Sequence, residues 1–434
     1  APLGELARSS WRPWLATLPA VIWWFDSIPW AGIWANPLLV PFLGLVLLPL
    51  AMAHALSCTL LPSLCTLTAP ALELSVEALG VLVKWTGTHL PDLPPGQQSA
   101  WQLALLALGS VLVLFTGPGG RARRAGWVAL LVFTLASMCN PRPPPDTLQI
   151  DFLDVGQGDA ALLRFASPAK DTHTFTALID TGGNPGGGPD PGEAVLRPLL
   201  RRQGIERLDL VVISHAHPDH YGGLASLVGH MPIDEIWDNG QAEAEQPAGP
   251  LAQLLARARA LGTRVRGPAA LCAGLHGPSG IELSLLWPCP AHSPLHDPND
   301  NSLVLAIRHG STRILFTGDI ESAAEQALVA NDRIPRSQVL KVPHHGSRSS
   351  SGLALLRAVA PQVAVISAGP GNPFGHPHPE VVERYQKLNV QLMRTDLQGG
   401  LRLRSDGTGF QMSSELQGDL ALREGEGEPL VVGR

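Results

Sequence analysis

Charge is scarce in this chain. Only 16% of its 434 residues are Asp, Glu, Lys or Arg, against 45% hydrophobic residues, and the formal net charge is −6. That balance argues against a strongly basic nucleic-acid clamp, although a metal site supplies positive charge locally. Cysteine is equally sparse. Cys58, Cys65, Cys139, Cys272 and Cys289 form no CxxC pair and no zinc-finger spacing. They read as small buried hydrophobes, with a Cys272–Cys289 bridge as an unsupported alternative. No methionine opens the chain at Ala1 and no signal-peptide pattern follows, as expected for a fragment of something longer. The 40 prolines, 45 glycines and 11 tryptophans are abundant but uneven. Tryptophan concentrates before about residue 140 and histidine after it, and the length sets a prior of two or three domains.

Residues 1–140 read as membrane helices. From Thr17 to Leu56 the chain is almost uncharged, as TLPAVIWWFDSIPWAGIWAN and then PLLVPFLGLVLLPLAMAHAL. The second piece reaches the roughly 20 apolar residues that a bilayer span requires. The first is broken by Asp26, Pro29 and Gly32. It reads either as an interfacial segment with Trp23, Trp24, Trp30 and Trp34 at headgroup level, or as a broken helix lining a polar path. Further apolar runs lie near 60–90, where Glu73, Glu77 and Lys84 add amphipathic character, at Trp101–Phe115 and at Gly126–Cys139. The last two are short for a span. Arginines at 121, 123 and 124 favour the cytoplasmic side of the loop between them. If the following run crosses, the rest of the chain lies outside the cytoplasmic membrane. The Pro-rich linker 141–147 then breaks any helix and marks a domain boundary.

Beyond it the texture is that of a soluble α+β domain, 148–413. Strands are expected at Leu148–Leu153, Ala160–Phe165, Thr176–Ile179, Leu208–Ile213, Ile281–Trp287, Ser302–Arg308, Arg313–Thr317, Val339–Val342 and Val363–Ser367. Helices are expected at Glu193–Gln203, near 250–261 and 321–330, and near Pro379–Lys387. Gln241–Pro250 reads as a loop and the tail 414–434 as polar and disordered. Strands with helices interspersed, rather than strictly alternating, predict packed sheets covered by helices.

The chemistry sits at strand ends. Ser214-His215-Ala216-His217-Pro218-Asp219-His220 follows the apolar run LDLVVI, so three imidazoles and a carboxylate leave one strand within a few residues. A lone histidine is usually a surface or hydrogen-bonded residue. Gathering this many ligand-type groups is costly without a cation to hold them. Asp180, Asp300, Asn301, Asp319, His344 and His345 also flank apolar strands. A His and carboxylate set without cysteine suits zinc, manganese or iron, and a bridging carboxylate would give the two-metal arrangement of phosphoester hydrolysis. Lys341 and the start of the helix after Ser347-Arg348-Ser349-Ser350 are candidates for holding adjacent phosphates.

SHAHPDHYGG resembles the signature of the metallo-β-lactamase superfamily, an αββα sandwich with a mono- or dinuclear metal site. FLDVGQGDAALL, LIDTGG, NDNSLVL, LFTGDI and LKVPHHGS, in that order, resemble one branch, the ComEC family of DNA-internalisation competence proteins. TLPAVIWWF and WANPLLVPFLGLVLLP resemble the end of that family's channel domain. The resemblance covers most of the chain and leaves out the family's N-terminal part, with its OB-like domain and earlier helices. It implies one or two divalent ions, zinc or manganese, with His215 and His217 on the first and Asp219 and His220 on the second. Asp319 would bridge, and His344 or His345, with His345 preferred, would complete the second site. Asn301 stands where many relatives place a third histidine, which weakens the first site. Asp159, Asp180 and Lys341 would support the ligands from behind, and Asp219 and His376 would take part in catalysis.

The implied function is an inner-membrane, multi-pass DNA-uptake protein of natural transformation. Its hydrolase domain, on the outer side, would cleave the strand that is not transported. The implied partners are single- and double-stranded DNA, the membrane and other uptake proteins. Two alternatives stay open. One is a lactamase-like domain that only guides DNA, and the other is a membrane-tethered hydrolase of a small molecule.

Overall fold

The computed structural model describes residues 2–25, 28, 31–60, 62–89, 100–138, 144–167, 173–183, 189–414 and 418–420. Asp26, Pro29, Trp30, Cys139 and most of the Pro-rich linker lie outside these, as does most of the tail. The chain divides into two compact units that meet in sequence at Pro141–Arg142.

The first unit is helical: α1 (Pro2–Phe25), α2 (Ala31–Phe42), α3 (Leu48–Leu60), α4 (Pro62–His89), α5 (Ala100–Phe115) and α6 (Arg121–Met138). A single π turn, Leu43–Leu47, joins α2 to α3. Two stretches are long and apolar enough to cross a membrane, Leu39–Leu60 and Cys65–Val83. Leu45, Leu48, Met52, Leu56 and Leu60 point outward from the first, an arrangement that water disfavours and lipid accepts. Trp101–Phe115 is apolar but shorter.

The second unit is a two-sheet sandwich. In chain order its strands are β1 (Thr147–Phe152), β2 (Ala160–Ala166), β3 (Thr174–Thr181), β4 (Leu208–Val212), β5 (Ile233–Trp237) and β6 (Arg264–Arg266), then β7 (Ile281–Trp287), β8 (Val304–His309), β9 (Thr312–Phe316), β10 (Val339–Lys341), β11 (Val363–Ile366) and β12 (Gln391–Arg394), and finally β13 (Leu401–Ser405), β14 (Phe410–Ser414) and β15 (Gly418–Leu420). One sheet runs β15-β14-β13-β1-β2-β3-β4-β5-β6 and the other β12-β11-β10-β9-β8-β7. Each contains the same pattern: two antiparallel pairings (β1-β2-β3, β7-β8-β9) followed by parallel ones (β3 to β6, β9 to β12).

The two-residue period of a strand explains the layers. Ile150, Leu163, Val212, Ile307, Phe316 and Val365 face the space between the sheets, where Phe152 stacks on Phe316 with ring centres 5.6 Å apart. Leu162, Val211 and Ile213 face helices on one outer side, and Val304, Leu315 and Leu340 face helices on the other. Because both faces of the central strands are buried, their sequences read as continuous apolar runs. The order of layers is helix, sheet, sheet, helix.

Three sequence readings need correction. Gln241–Glu245, expected as loop, is a helical turn. Asn239 Oδ1 accepts the Gln241 N–H at 3.0 Å and the Gln241 amide bonds Glu245 one turn on, so helix-favouring residues gain local partners. Within the tail expected to be disordered, Gly418–Leu420 pairs antiparallel with β14. Cys58–Cys65 and Cys272–Cys289 are disulfides, not isolated buried thiols.

Close backbone approach fixes the loops at one edge of the sandwich. Asp159 N–H donates to Asp219 O (3.2 Å), Gly182 N–H to Asp159 O (2.7 Å) and Gly223 N–H to Gly182 O (3.1 Å). At Gly183 a methyl group would sit 1.8 Å from the Pro218 carbonyl oxygen, which no side chain tolerates. Gly183→Ala is therefore expected to cost at least about 1–3 kcal/mol as overpacking. Gly409→Ala, where an added methyl meets nothing within 4 Å, serves as the neutral comparison in the same thermal melts. Equal melting temperatures would refute the close-approach account.

Candidate metal centre

Both sheets deliver polar residues to that edge. The turn after β4 carries His215 to His220, the end of β3 carries Asp180, and the turn before β2 carries Asp159. From the second sheet, Asp319 follows β9 and His344 and His345 follow β10. Asp219, His220, Asp319 and His345 are all buried, and each offers a ligand atom within 4.8 Å of the others. His220 Nε2 lies 3.2 Å from Asp319 Oδ2, and His345 Nε2 lies 3.4 Å from Asp219 Oδ2 and 3.5 Å from Asp319 Oδ2.

Groups behind the imidazoles decide which nitrogen faces the centre. His220 Nδ1 is 2.9 Å from Asp180 Oδ2, and His345 Nδ1 is 2.9 Å from the Ser367 carbonyl oxygen and 3.2 Å from Asp159 Oδ1. Carboxylates and carbonyls only accept, so Nδ1 carries the proton and Nε2 presents its lone pair inward. This is the usual support of a metal-ligating histidine. Asp180 sits at φ +57 and also accepts the Ser214 N–H at 2.7 Å, so one strained residue fixes both the loop and the ring. His344 (φ +48) and His345 (φ +52) are consecutive left-handed residues, and the turn they make sends His345 into the cluster.

Among the described residues, His215 Nε2, His220 Nε2, His345 Nε2 and Asp319 Oδ1 are buried without a hydrogen bond. Unsatisfied buried polar atoms are costly, and these four belong to hard or borderline donors gathered around one point. The donor set, nitrogen and carboxylate oxygen without thiolate, fits a divalent ion such as zinc or manganese. Burial pushes the His215 imidazole down to about 3, which leaves its ring neutral. Burial opposes charging of His345 as well, but the Asp319 and Asp159 carboxylates outweigh it and push that imidazole up to about 10.

The other candidates are placed differently. His217 is half-exposed at the rim; its Nδ1 bonds Asp219, and its ring stacks on His215 with centres 5.8 Å apart. His344 is more open: Nε2 lies 3.8 Å from Asp319 and Nδ1 lies 2.9 Å from Glu321 Oε1. His376 stands over the cluster, its ring centre 5.5 Å from His344 and 6.4 Å from His345. Burial and those two imidazoles push it down to about 4.

Asn301, expected as a ligand, directs its amide elsewhere. Its Oδ1 accepts the Ser293 N–H (2.8 Å) and its Nδ2 donates to the Ser293 carbonyl (2.9 Å), so it ties down a neighbouring loop. Asp300 accepts the N–H groups of Glu321 and Ala324 and caps the helix Ser322–Ala330. Lys341, expected near a substrate phosphate, is buried with Nζ 2.8 Å from Asp159 Oδ2.

Sequence reasoning passed over four supporting residues. Ser302 Oγ accepts the Asp319 N–H, Asn239 Nδ2 holds the Asn301 carbonyl, Ser367 supports His345 and Glu321 meets His344. Asn239 and Ser367 repeat the signal of a polar residue at an apolar strand's end.

Comparison with known proteins agrees with this geometry. Residues 153–369 match the family model of the metallo-beta-lactamase superfamily. The chain belongs to that superfamily. Residues 3–118 of this metallo-beta-lactamase-superfamily chain match a second family model, described as competence protein. Among curated proteins, ComE operon protein 3 of Bacillus subtilis is 27% identical over 93% of this chain and 52% of its own length. Competence protein ComA of Neisseria gonorrhoeae is 30% identical over 91% and 52%, and Uncharacterized protein YcaI of Escherichia coli is 30% identical over 92% and 48%. The chain spans about half the length of these relatives.

The buried pair behind the centre makes a prediction. Lys341→Met leaves the Asp159 carboxylate buried and uncompensated, and is expected to cost about 3–5 kcal/mol. Asp159→Asn added to it is expected to restore much of the loss. Denaturant midpoints of the single and double variants check this, and a single variant as stable as the parent chain would refute it.

Proposed function

We propose that the second unit is a divalent-metal phosphodiesterase acting on DNA, joined to membrane helices that belong to a DNA-uptake apparatus. The observation that carries the reading is the buried Asp219–His220–Asp319–His345 cluster with its unbonded inward atoms, in a chain that also has a competence-protein domain. Substrate would be the strand that is not transported.

His220, His345, Asp219 and Asp319 would hold one ion, and His215, His217 and Asp319 the other. When bound, such ions polarise a phosphoryl oxygen and lower the pKa of water. The chain's own residues do the positioning. Asp180 and Ser367 keep the imidazoles in the ligating tautomer, and Lys341 holds Asp159 against His345. His376 lies where it would meet the scissile phosphate or the leaving oxygen, as a neutral ring with one N–H to donate. The turning away of Asn301 leaves the first ion with fewer ligands, which favours a second reading in which the domain guides DNA without cutting it.

The 434-residue chain in detergent separates the two. Cleavage of single-stranded DNA is expected with Mn²⁺ or Zn²⁺, abolished by chelator and restored by metal. Asp219→Ala and Asp319→Asn are each expected to lower the rate by about 100-fold or more, matching the several kcal/mol that a metal's charge supplies. No cleavage with Mn²⁺, Zn²⁺ or Mg²⁺ would overturn the nuclease reading, and turnover of nitrocefin instead would favour a small-molecule hydrolase.

We also place this unit outside the cytoplasmic membrane. The Cys272–Cys289 disulfide supports that, since such bonds persist in oxidising compartments, and the arginines of 121–124 favour the inner side for the preceding loop. In intact cells, a membrane-impermeant maleimide is expected to label Cys272 and Cys289 only after an impermeant reductant has been added. Labelling of both without reductant, or of neither after it, would refute the placement.

A further inference from the structure

Beside the candidate centre, the loop between β11 and the helix Pro379–Lys387 presents an exposed aromatic ring. Phe374 is 58% exposed, and among the described exposed large apolar side chains of this unit the others are leucines. An isolated exposed apolar residue needs no explanation by itself. Three observations set this one apart. Its ring stacks on His376 with centres 5.9 Å apart and planes inclined by 28°, and His376 stacks in turn on His345 at 6.4 Å and 25°. The result is a staircase of three rings from open solvent to an inward-facing imidazole of the centre.

The loop is also held in place. Asn372 Nδ2 donates to the carbonyls of Gly369 (3.0 Å) and His376 (2.6 Å), and its Oδ1 accepts the His376 N–H (3.0 Å). Gly371 (φ +63) and Gly375 (φ +68) supply the left-handed turns on either side of the ring. A hydrophobic ring kept in water on a tied loop, two ring spacings from the cluster, is a surface prepared for a flat partner.

We propose that Phe374 is a stacking platform for the nucleobase adjoining the scissile phosphodiester, with His376 as the bridge between base and phosphate. This rests on the reading that DNA is the substrate and adds to it the binding of a base. Every base has a π-face, so such a platform grips single strands without selecting sequence. A base drawn out of its stack onto Phe374 would set its own phosphate toward His376 and the inward imidazoles. Paired DNA, with both faces of each base occupied, would be the poorer ligand.

The test uses the full chain in detergent with Mn²⁺ and two oligodeoxynucleotides, one intact and one with an abasic residue at the nucleotide flanking the cut. Phe374→Ala is expected to lower kcat/KM on the intact strand by about 5- to 150-fold, mostly through KM. The abasic residue is expected to cost the parent chain a similar factor, the combined loss to equal either alone, and Phe374→Trp to retain activity. Parental activity in the alanine variant, or losses that multiply, would overturn the platform. Should no strand be cleaved, the nuclease reading fails alone. Binding of an oligonucleotide carrying 2-aminopurine then decides the platform. Quenching in the parent chain and in Phe374→Trp, lost in Phe374→Ala, supports it. Equal signals in parent and alanine variant, or no binding, overturn it.

Discussion

Four carboxylates and three imidazoles share the buried edge of this sandwich, and their mutual compensation is what the surrounding structure is built to secure. Asp159, Asp180, Asp219 and Asp319 are each nearly inaccessible to water. A buried carboxylate survives only with a countercharge and hydrogen bonds. Lys341 answers Asp159, the Ser214 amide and His220 answer Asp180, and the Ser302 hydroxyl fixes the turn that carries Asp319. What these partners leave over are inward-facing nitrogen and oxygen atoms from both sheets, the complement of a divalent cation.

The duplicated strand pattern explains why this edge can collect so many groups. In each sheet three antiparallel strands lead into a parallel series, so the carboxyl ends of β3 and β4 and of β9, β10 and β11 come to the same rim. Parallel strands release their chain at a common end, and open sheets place ligands there. The glycines of DVGQGD and LIDTGG matter for the same reason: without them the loops stand too far apart for Asp159 to reach the Asp219 backbone.

Much of this was legible in the sequence, for identifiable reasons. The layers followed from apolar runs of strand length, because strands covered on both faces need no alternation. The histidine loop declared itself by density of ligand types, and Asp319 and His345 followed from their places after apolar strands within a resemblance. The failures were of another kind. Asn301, Asp300 and Lys341 are polar residues beside the right strands, yet each serves a local structural task. Asn301 pins a loop, Asp300 caps a helix and Lys341 neutralises a carboxylate. Spacing in sequence places a side chain near an edge but not its direction, which depends on loops that no short-range rule describes. The Gln241–Glu245 turn and the β15 strand were missed because their partners, Asn239 and β14, lie outside the segments that form them.

The ligand atoms are split between the two sheets, with His220 and Asp219 on one and Asp319 and His345 on the other. An ion held by this set therefore fastens one layer to the other, and its binding free energy becomes part of the free energy that keeps the sandwich shut. Metal supply in the surroundings would then govern how long the folded protein lasts as well as how fast it works.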